Sequence, residues 1–321
     1  MTTQYSLDLS AEFAGRVALV TGGGSGIGRA IAERWARAGG TVAVLGRRRE
    51  ALDETVRRIV DAGGRAEAVV CDVRDHAGVA AAVDALVDTH GRIDALVNNA
   101  AGNFVVPSED LSPGGWKAVT DIVLNGTYYC THAVARHMLA QGSGSIVNVI
   151  ASYAWHGHPG TVHSAAAKGG VVAMARTLAV EWGGRGVRVN CLAPGPTETE
   201  GAGAALWGDP QARREVLASV PANRFAAPEE IAESAAFLLG DRAGYVTGEV
   251  LVVDGGQWLG KSVYTDSSKR TQHFQHTEEN EHGHRHQPHH QRPGLAAHRR
   301  AAPNRGTVPR LRGQGDPASG P

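Results

Sequence analysis

The stretch from Arg16 to Ala38 constrains the fold most. Arg16-Val-Ala-Leu-Val-Thr21 is a short apolar run that stops in Gly22-Gly-Gly-Ser-Gly-Ile-Gly28. A helical pattern follows, with Ile31, Trp35 and Ala38 on one face. Strand, glycine turn and helix in this order form the setting in which a dinucleotide is held. Gly22, Gly26 and Gly28 allow a tight turn and let a pyrophosphate come close to the helix N-terminus, where free N–H groups meet the anion.

The same alternation continues down the chain. Thr41–Leu45, Ala66–Cys71, Asp94–Asn98, Ile146–Ile150, Val187–Leu192 and Glu249–Val253 read as strands. Helical patterns over Ala51–Ala62, His76–His90, around Ser112–Ala140, up to Trp182 and over Pro228–Leu239 separate them. Alternation of this kind predicts an α/β fold: a Rossmann-type, doubly wound parallel sheet with helices on both faces, in a single domain over 1–260. Thr197–Asn223 is polar and small without clear periodicity, so a substrate lid is expected at about 197–224.

Composition matters mainly for what it excludes. The 321 residues carry 32 basic and 32 acidic side chains. Nothing in that balance points to nucleic acid or a membrane surface. The balance is uneven, however: residues 261–321 hold ten Lys and Arg against five Asp and Glu, and eight of the fifteen histidines. This tail has no Ile, Met, Trp or Cys. It offers too little apolar surface to offset its ordering entropy, and is expected to be disordered. Cys71, Cys130 and Cys191 show no Cys-x-x-Cys spacing, so neither a disulfide framework nor a metal site is expected. Met1–Gly15 lacks a signal-peptide apolar run, and no run of about 18 apolar residues marks a membrane span. A cytoplasmic protein is the expectation.

The end of the second strand bears on the nucleotide. An NAD site usually places an Asp or Glu there for the ribose 2′-hydroxyl. Here Gly46-Arg47-Arg48-Arg49 follows instead. Forked guanidinium groups pair with phosphate, which favours NADPH.

Together, Thr21–Gly28, Asp72-Val73, Asn98-Asn-Ala-Ala-Gly102, Lys168, Pro194-Gly195 and Asp254-Gly255-Gly256 resemble the short-chain dehydrogenase/reductase superfamily over roughly residues 12–258. For cofactor binding the resemblance implies Gly22, Gly24, Ser25, Gly26, Ile27, Arg47, Asp72, Val73, Asn99, Lys168, Pro194, Gly195 and Thr197. The catalytic pattern departs from the common one. The usual Tyr, four residues before Lys168, is Ser164, and the usual Ser falls on Ala151. The only nearby tyrosine is Tyr153.

That departure is similar to the NADPH-dependent 2,4-dienoyl-CoA reductases. The resembling stretches include Cys71–Asp75, Asn98–Phe104, Leu111-Ser-Pro, Thr120–Gly126, Ser164–Lys168 and Ala179–Trp182. The resemblance implies that Tyr153 and Asn103 hold a thioester oxygen, and that Lys168 binds the nicotinamide ribose and lowers the phenol's pKa with Ser164 assisting. It also implies acyl-CoA contacts by Arg74, Phe104 and Ser112, and a homotetramer. One departure is the acidic stretch Glu198–Trp207, which lacks the Arg found in the animal enzymes. Two alternatives stay open: a reductase of 3-oxoacyl thioesters or carbonyls, and an NADPH-binding scaffold without activity. Asn103 is also a turn-capping type, and a loop histidine such as His156, His158 or His163 is ordinarily solvated.

Overall fold

The computed structural model describes residues 9–199 and 209–259. The chain divides into two units, 1–262 and 263–321, and the described residues all belong to the first. The expectations for the tail lie outside the described residues.

Seven strands form one sheet: β1 (Val17–Thr21), β2 (Thr41–Gly46), β3 (Arg65–Val70), β4 (Ala95–Asn98), β5 (Gly144–Val149), β6 (Val187–Pro194) and β7 (Val250–Val253). Every pairing is parallel, in the order β3-β2-β1-β4-β5-β6-β7. Among the described residues the α-helices are α1 (Gly26–Arg37), α2 (Arg49–Asp61), α3 (His76–His90), α4 (Pro113–Thr120), α5 (Gly126–Gln141), α6 (Val162–Trp182), α7 (Pro210–Ala218) and α8 (Pro228–Leu239). This is the doubly wound sheet expected from the alternation.

Two cores sandwich the sheet, because alternate strand residues face opposite sides. Ala18, Val20, Val42 and Val44 pack with Ile31, Trp35 and Ile231 on one face. Leu19, Ala43 and Leu45 join Val134, Met138, Ile146 and Val171 on the other. The strand order reverses between β1 and β4, and a crevice at such a point, beyond the strands' C-terminal ends, is where open α/β sheets bind ligands.

The long helical region runs from Pro113 to Gln141 through a π-helical turn, Asp121–Asn125. Asn125 Nδ2 donates to Asp121 Oδ1 at 2.9 Å inside that turn, which gives the mid-helix asparagine a local partner.

Two expectations need correction. The stretch read as lacking periodicity contains α7. Its signal is local: Asp209 caps it by accepting from Ala212 N at 2.9 Å, and Pro210 stands at its start. Residues 200–208 of the expected lid lie outside the described residues. A homotetramer would draw on apolar residues of the long helices such as Val134, Met138, Met174 and Leu178, yet Val134 and Met138 are fully buried in the chain's own core and Met174 and Leu178 are half-buried. The exposed large apolar positions on α5 and α6 are Tyr128, Val162 and Val180.

Buried asparagines cross-link the middle of the sheet. Asn98 Nδ2 donates to Thr131 Oγ1 at 3.0 Å and to Asn148 Oδ1 at 2.8 Å. Asn190 Nδ2 donates to Val246 O at 2.9 Å and its Oδ1 accepts from Glu249 N at 3.0 Å. A satisfied buried network rigidifies the strand ends from which the site is built.

Candidate active site

The glycine turn forms a cradle at the end of β1. Gly22 and Gly26 take φ of +65° and +51°, the left-handed region that glycine enters without cost. Asn99 ties the turn down: its Nδ2 donates to Thr21 O at 3.1 Å and Gly22 O at 3.3 Å. Thr21 Oγ1 accepts from the N–H groups of Asn99 and Ala100 at 3.0 Å each. On the outer side, Arg29 Nη2 donates to Gly24 O at 2.7 Å and Thr55 Oγ1 to Gly23 O at 3.0 Å. Ser25 stands at the N-terminus of α1 and its side chain makes no capping bond there, so the helix N–H groups keep their affinity for an anion. Ile27 follows, half-buried against the core.

This cradle fits a dinucleotide pyrophosphate. A Cβ at Gly28 would lie 2.4 Å from Gly22 O and 2.5 Å from Asn99 Nδ2. A Cβ at Gly26 would meet Thr199, 3.1 Å away, across the mouth. Gly28→Ala is therefore expected to push the turn off Asn99 and abolish nucleotide binding, measured by NADPH fluorescence titration. Wild-type affinity in that variant would refute the assignment of the cradle.

Arg47 and Arg48 are exposed at the end of β2, and neither makes an ion pair among the described residues. Arg47 acts electrostatically on Asp72, whose carboxyl sits below its usual range mainly because Arg74 hydrogen-bonds to it. Arg74 Nη2 reaches Asp72 Oδ2 at 2.5 Å and Nε reaches both carboxylate oxygens at 3.0 Å. The expected acyl-CoA ligand is thus engaged with a residue assigned to the nucleotide. Val73 is buried against Gly126 at the start of α5. Past β6, Gly195 N donates to Val253 O at 3.0 Å and Thr197 Oγ1 to Gly195 O at 2.9 Å, which fixes the Pro194–Thr197 turn opposite the cradle.

Tyr153 sits on a 3₁₀ turn, Ser152–Ala154, just past β5. Ser164 and Lys168 are one turn apart on α6 and so share a face. The structure brings the three together. Tyr153 Oη and Ser164 Oγ share a hydrogen bond of 3.2 Å, and Lys168 Nζ donates to Val149 O, at the end of β5, at 3.0 Å. Burial pulls Lys168 down to about 8. An ammonium has three donors, and Val149 takes the one bond that Lys168 makes among the described residues. Burial also pushes the Tyr153 phenol up, offset in part by Ser164. That corrects the expected lowering by Lys168, which is not among the groups acting on Tyr153.

Asn103 accepts at Oδ1 from the Phe104 N–H at 3.0 Å, the turn-capping alternative, and its Nδ2 makes no bond among the described residues. Ser112 Oγ caps α4 by accepting from Gly115 N at 3.1 Å. Phe104 lies beside it: a Cβ on Gly115 would stand 3.1 Å from Phe104 Cζ. A separate groove of about 410 Å³, between Trp155 and Trp258, lies along other residues of α6 and is lined by none of Tyr153, Ser164 or Lys168.

The family model described as enoyl-(acyl carrier protein) reductase matches residues 22–257. The chain belongs to the short-chain dehydrogenase/reductase family. It is 48% identical over 246 residues to a Bacillus subtilis (strain 168) protein named as a probable 2,4-dienoyl-CoA reductase producing a (2E)-enoyl-CoA, covering 76% of this chain and 97% of that one. It is 41% identical over 254 residues to the D-threitol dehydrogenase of Mycolicibacterium smegmatis (strain ATCC 700084 / mc(2)155), covering 79% and 96%. A solved gluconate 5-dehydrogenase from Burkholderia cenocepacia J2315, in complex with NADP and tartrate, shares 35% identity and a TM-score of 0.75 over 79% of this chain and 99% of that one.

As a short-chain dehydrogenase/reductase, the chain is an oxidoreductase. Sequence reading misses several residues that shape its site. Thr21, Arg29 and Thr55 brace the cradle through contacts that no spacing encodes. His156 reads as a solvated loop residue, yet its Nε2 lies 3.0 Å from the buried Ser152 Oγ. His163, which reads the same way, is completely buried.

Proposed function

We propose that this reductase uses NADPH to reduce a 2,4-dienoyl-CoA to an enoyl-CoA in the breakdown of unsaturated fatty acids. The observation that carries the reading is the pairing of Tyr153 with Ser164. The phenol has a place in the site although the position four residues before Lys168 holds a serine. The 48% identical relative supports the substrate class.

The nucleotide, when bound, supplies a hydride to the far end of the conjugated acyl group. Charge then develops on the thioester oxygen, and the protein must place donors there. Tyr153 suits this, since a half-buried phenol with a raised pKa stays protonated and donates at neutral pH. Asn103 Nδ2 is the second donor, open while Oδ1 keeps its own turn closed. Lys168, with two donors left after Val149, would hold the ribose hydroxyls. Arg47 and Arg48, without ion pairs, would receive the 2′-phosphate, and the NADP bound by the gluconate 5-dehydrogenase neighbour agrees with this. The dienolate is completed by a proton taken on carbon, drawn from solvent water, and since no alkoxide requires one, a tyrosine at position 164 is dispensable.

A second reading, a carbonyl reductase, is favoured by the D-threitol dehydrogenase relative. Stopped-flow nucleotide oxidation separates the two. Turnover of 2,4-hexadienoyl-CoA with NADPH is the expected result. Turnover of acetoacetyl-CoA alone would sink the dienoyl reading, and a preference for NADH would contradict the role of Arg47. For assembly we propose a homotetramer formed through α5 and α6, where Tyr128 and Val180 are exposed. No described helix is long and apolar enough to cross a membrane.

A further inference from the structure

His163 is the one described residue with buried side-chain polar atoms that have no partner. It is fully buried, and both Nδ1 and Nε2 lack a hydrogen bond. Buried polar groups are paired in the great majority of cases, so an exception asks for a reason. A purely structural position here would be filled better by a leucine or phenylalanine, because each unmade bond weakens the fold.

The surroundings supply a reason. His163 directly precedes Ser164, which holds the Tyr153 hydroxyl. Its ring lies 4.5 Å from that of Phe104, centroid to centroid. Phe104 follows Asn103, and its own N–H is held by the Asn103 side chain. Phe104 is 39% exposed and Val105 61%, so the segment covering His163 is itself covered by little. This segment has no regular structure, and Val106 N donating to Gly160 O at 3.0 Å tethers it. Burial holds His163 below its ordinary range, so the ring is neutral and carries one N–H donor and one acceptor nitrogen.

We propose that His163 is a further substrate-positioning residue kept beneath Phe104: an entering acyl thioester displaces the phenyl ring, and the imidazole N–H then binds the substrate's carbonyl oxygen. The inference rests on the thioester part of the proposed function. It explains why a polar ring is kept where it has no partner in the ligand-free chain. It also assigns Phe104 a role, since the ring that lines the acyl path covers the donor until the path is filled. The movement adds His163 to a donor, Asn103 Nδ2, that is already open, while the bond from the Phe104 N–H to Asn103 Oδ1 travels with the moving segment.

The test separates a positioning residue from a packing residue. His163→Leu removes both nitrogens and keeps the bulk. Its melting temperature should stay level or rise by about 2–4 °C, while kcat/KM for the thioester falls by about 10- to 100-fold. The loss should fall mainly on KM, NADPH binding should be intact, and His163→Gln should recover part of the loss. A lowered melting temperature with kcat/KM unchanged, or a parallel loss of stability and nucleotide binding, would overturn the proposal. The kinetics are read on whichever thioester the wild type reduces, 2,4-hexadienoyl-CoA or acetoacetyl-CoA, so a failed dienoyl reading is seen in the wild type first. A second measurement needs no substrate. Phe104→Ala should open His163 to diethyl pyrocarbonate, followed by peptide mass mapping, while the wild type protects it. Equal protection in both proteins would remove Phe104 as the cover.

Discussion

Tyr153→Phe should lower kcat by about 10²–10³-fold while leaving NADPH binding intact. The variant keeps the ring and loses only the hydroxyl, which lies 3.2 Å from Ser164 Oγ. The direction of the pKa shift says what kind of loss to expect. Burial raises the phenol, so across neutral and mildly alkaline pH it is a donor and not a phenolate base. A residue that only donates to developing charge affects the transition state more than the ground state, so KM should move less than kcat. Steady-state kinetics with 2,4-hexadienoyl-CoA check this. Unchanged turnover would take Tyr153 out of the mechanism. The same shift fixes a sign for stability: the phenol's contribution is full below pH 10 and is lost as pH rises from there through its raised folded value.

What could be read in advance divides by range. The cradle was legible because its constraint is local: Gly22 and Gly26 take positive φ, and Gly28 has no room for a Cβ. The sheet was legible because strands buried on both faces are continuous apolar runs. Lys168 could be placed near a strand end because it follows the apolar run of β5 and a short Gly/Pro loop, at the start of α6. What escaped depends on partners distant in sequence or on competition between neighbours. The Asn98–Asn148 bond spans fifty residues. Arg74 reads as free for a CoA phosphate, but Asp72, two residues away, takes it. Val134 and Met138 give an apolar face whose partner, core or second subunit, a sequence period cannot tell apart. Helix α7 escaped because its start signal, Asp209-Pro210, sits within a run of glycines and small residues. His163 departs from the ordinary solvated loop histidine because it stands inside the first turn of α6, under Phe104.

Lys168→Met should lower kcat/KM by about 10²–10³-fold and make the protein more stable at neutral pH. The two effects share a cause. Lys168 is almost completely buried and titrates at about 8 in the folded chain, against 10.5 for a lysine in water. Below pH 8 the folded state must carry a charge it would rather shed, which costs about 3 kcal/mol by the linkage between pKa and stability. Methionine removes that cost and leaves Val149 O without its donor, which returns about 1 kcal/mol. The net gain of about 2 kcal/mol corresponds to a melting temperature higher by about 4–8 °C. The pH dependence isolates the lysine. From pH 8 upward the folded wild type releases the proton while the unfolded chain keeps it to about 10.5, so wild-type stability rises with pH and the variant's does not. Cys130, pushed up to about 12 by burial, weakens both proteins alike as pH climbs above 9, whereas Cys191, also pushed up to about 12, feels Lys168 directly and so differs between the two at high pH. The informative window is therefore pH 7 to 9, where urea unfolding of the two proteins should converge. Parallel curves across that window would mean that the ammonium is not held at a cost, and the view of Lys168 as a charge kept buried for the ligand would fall with it.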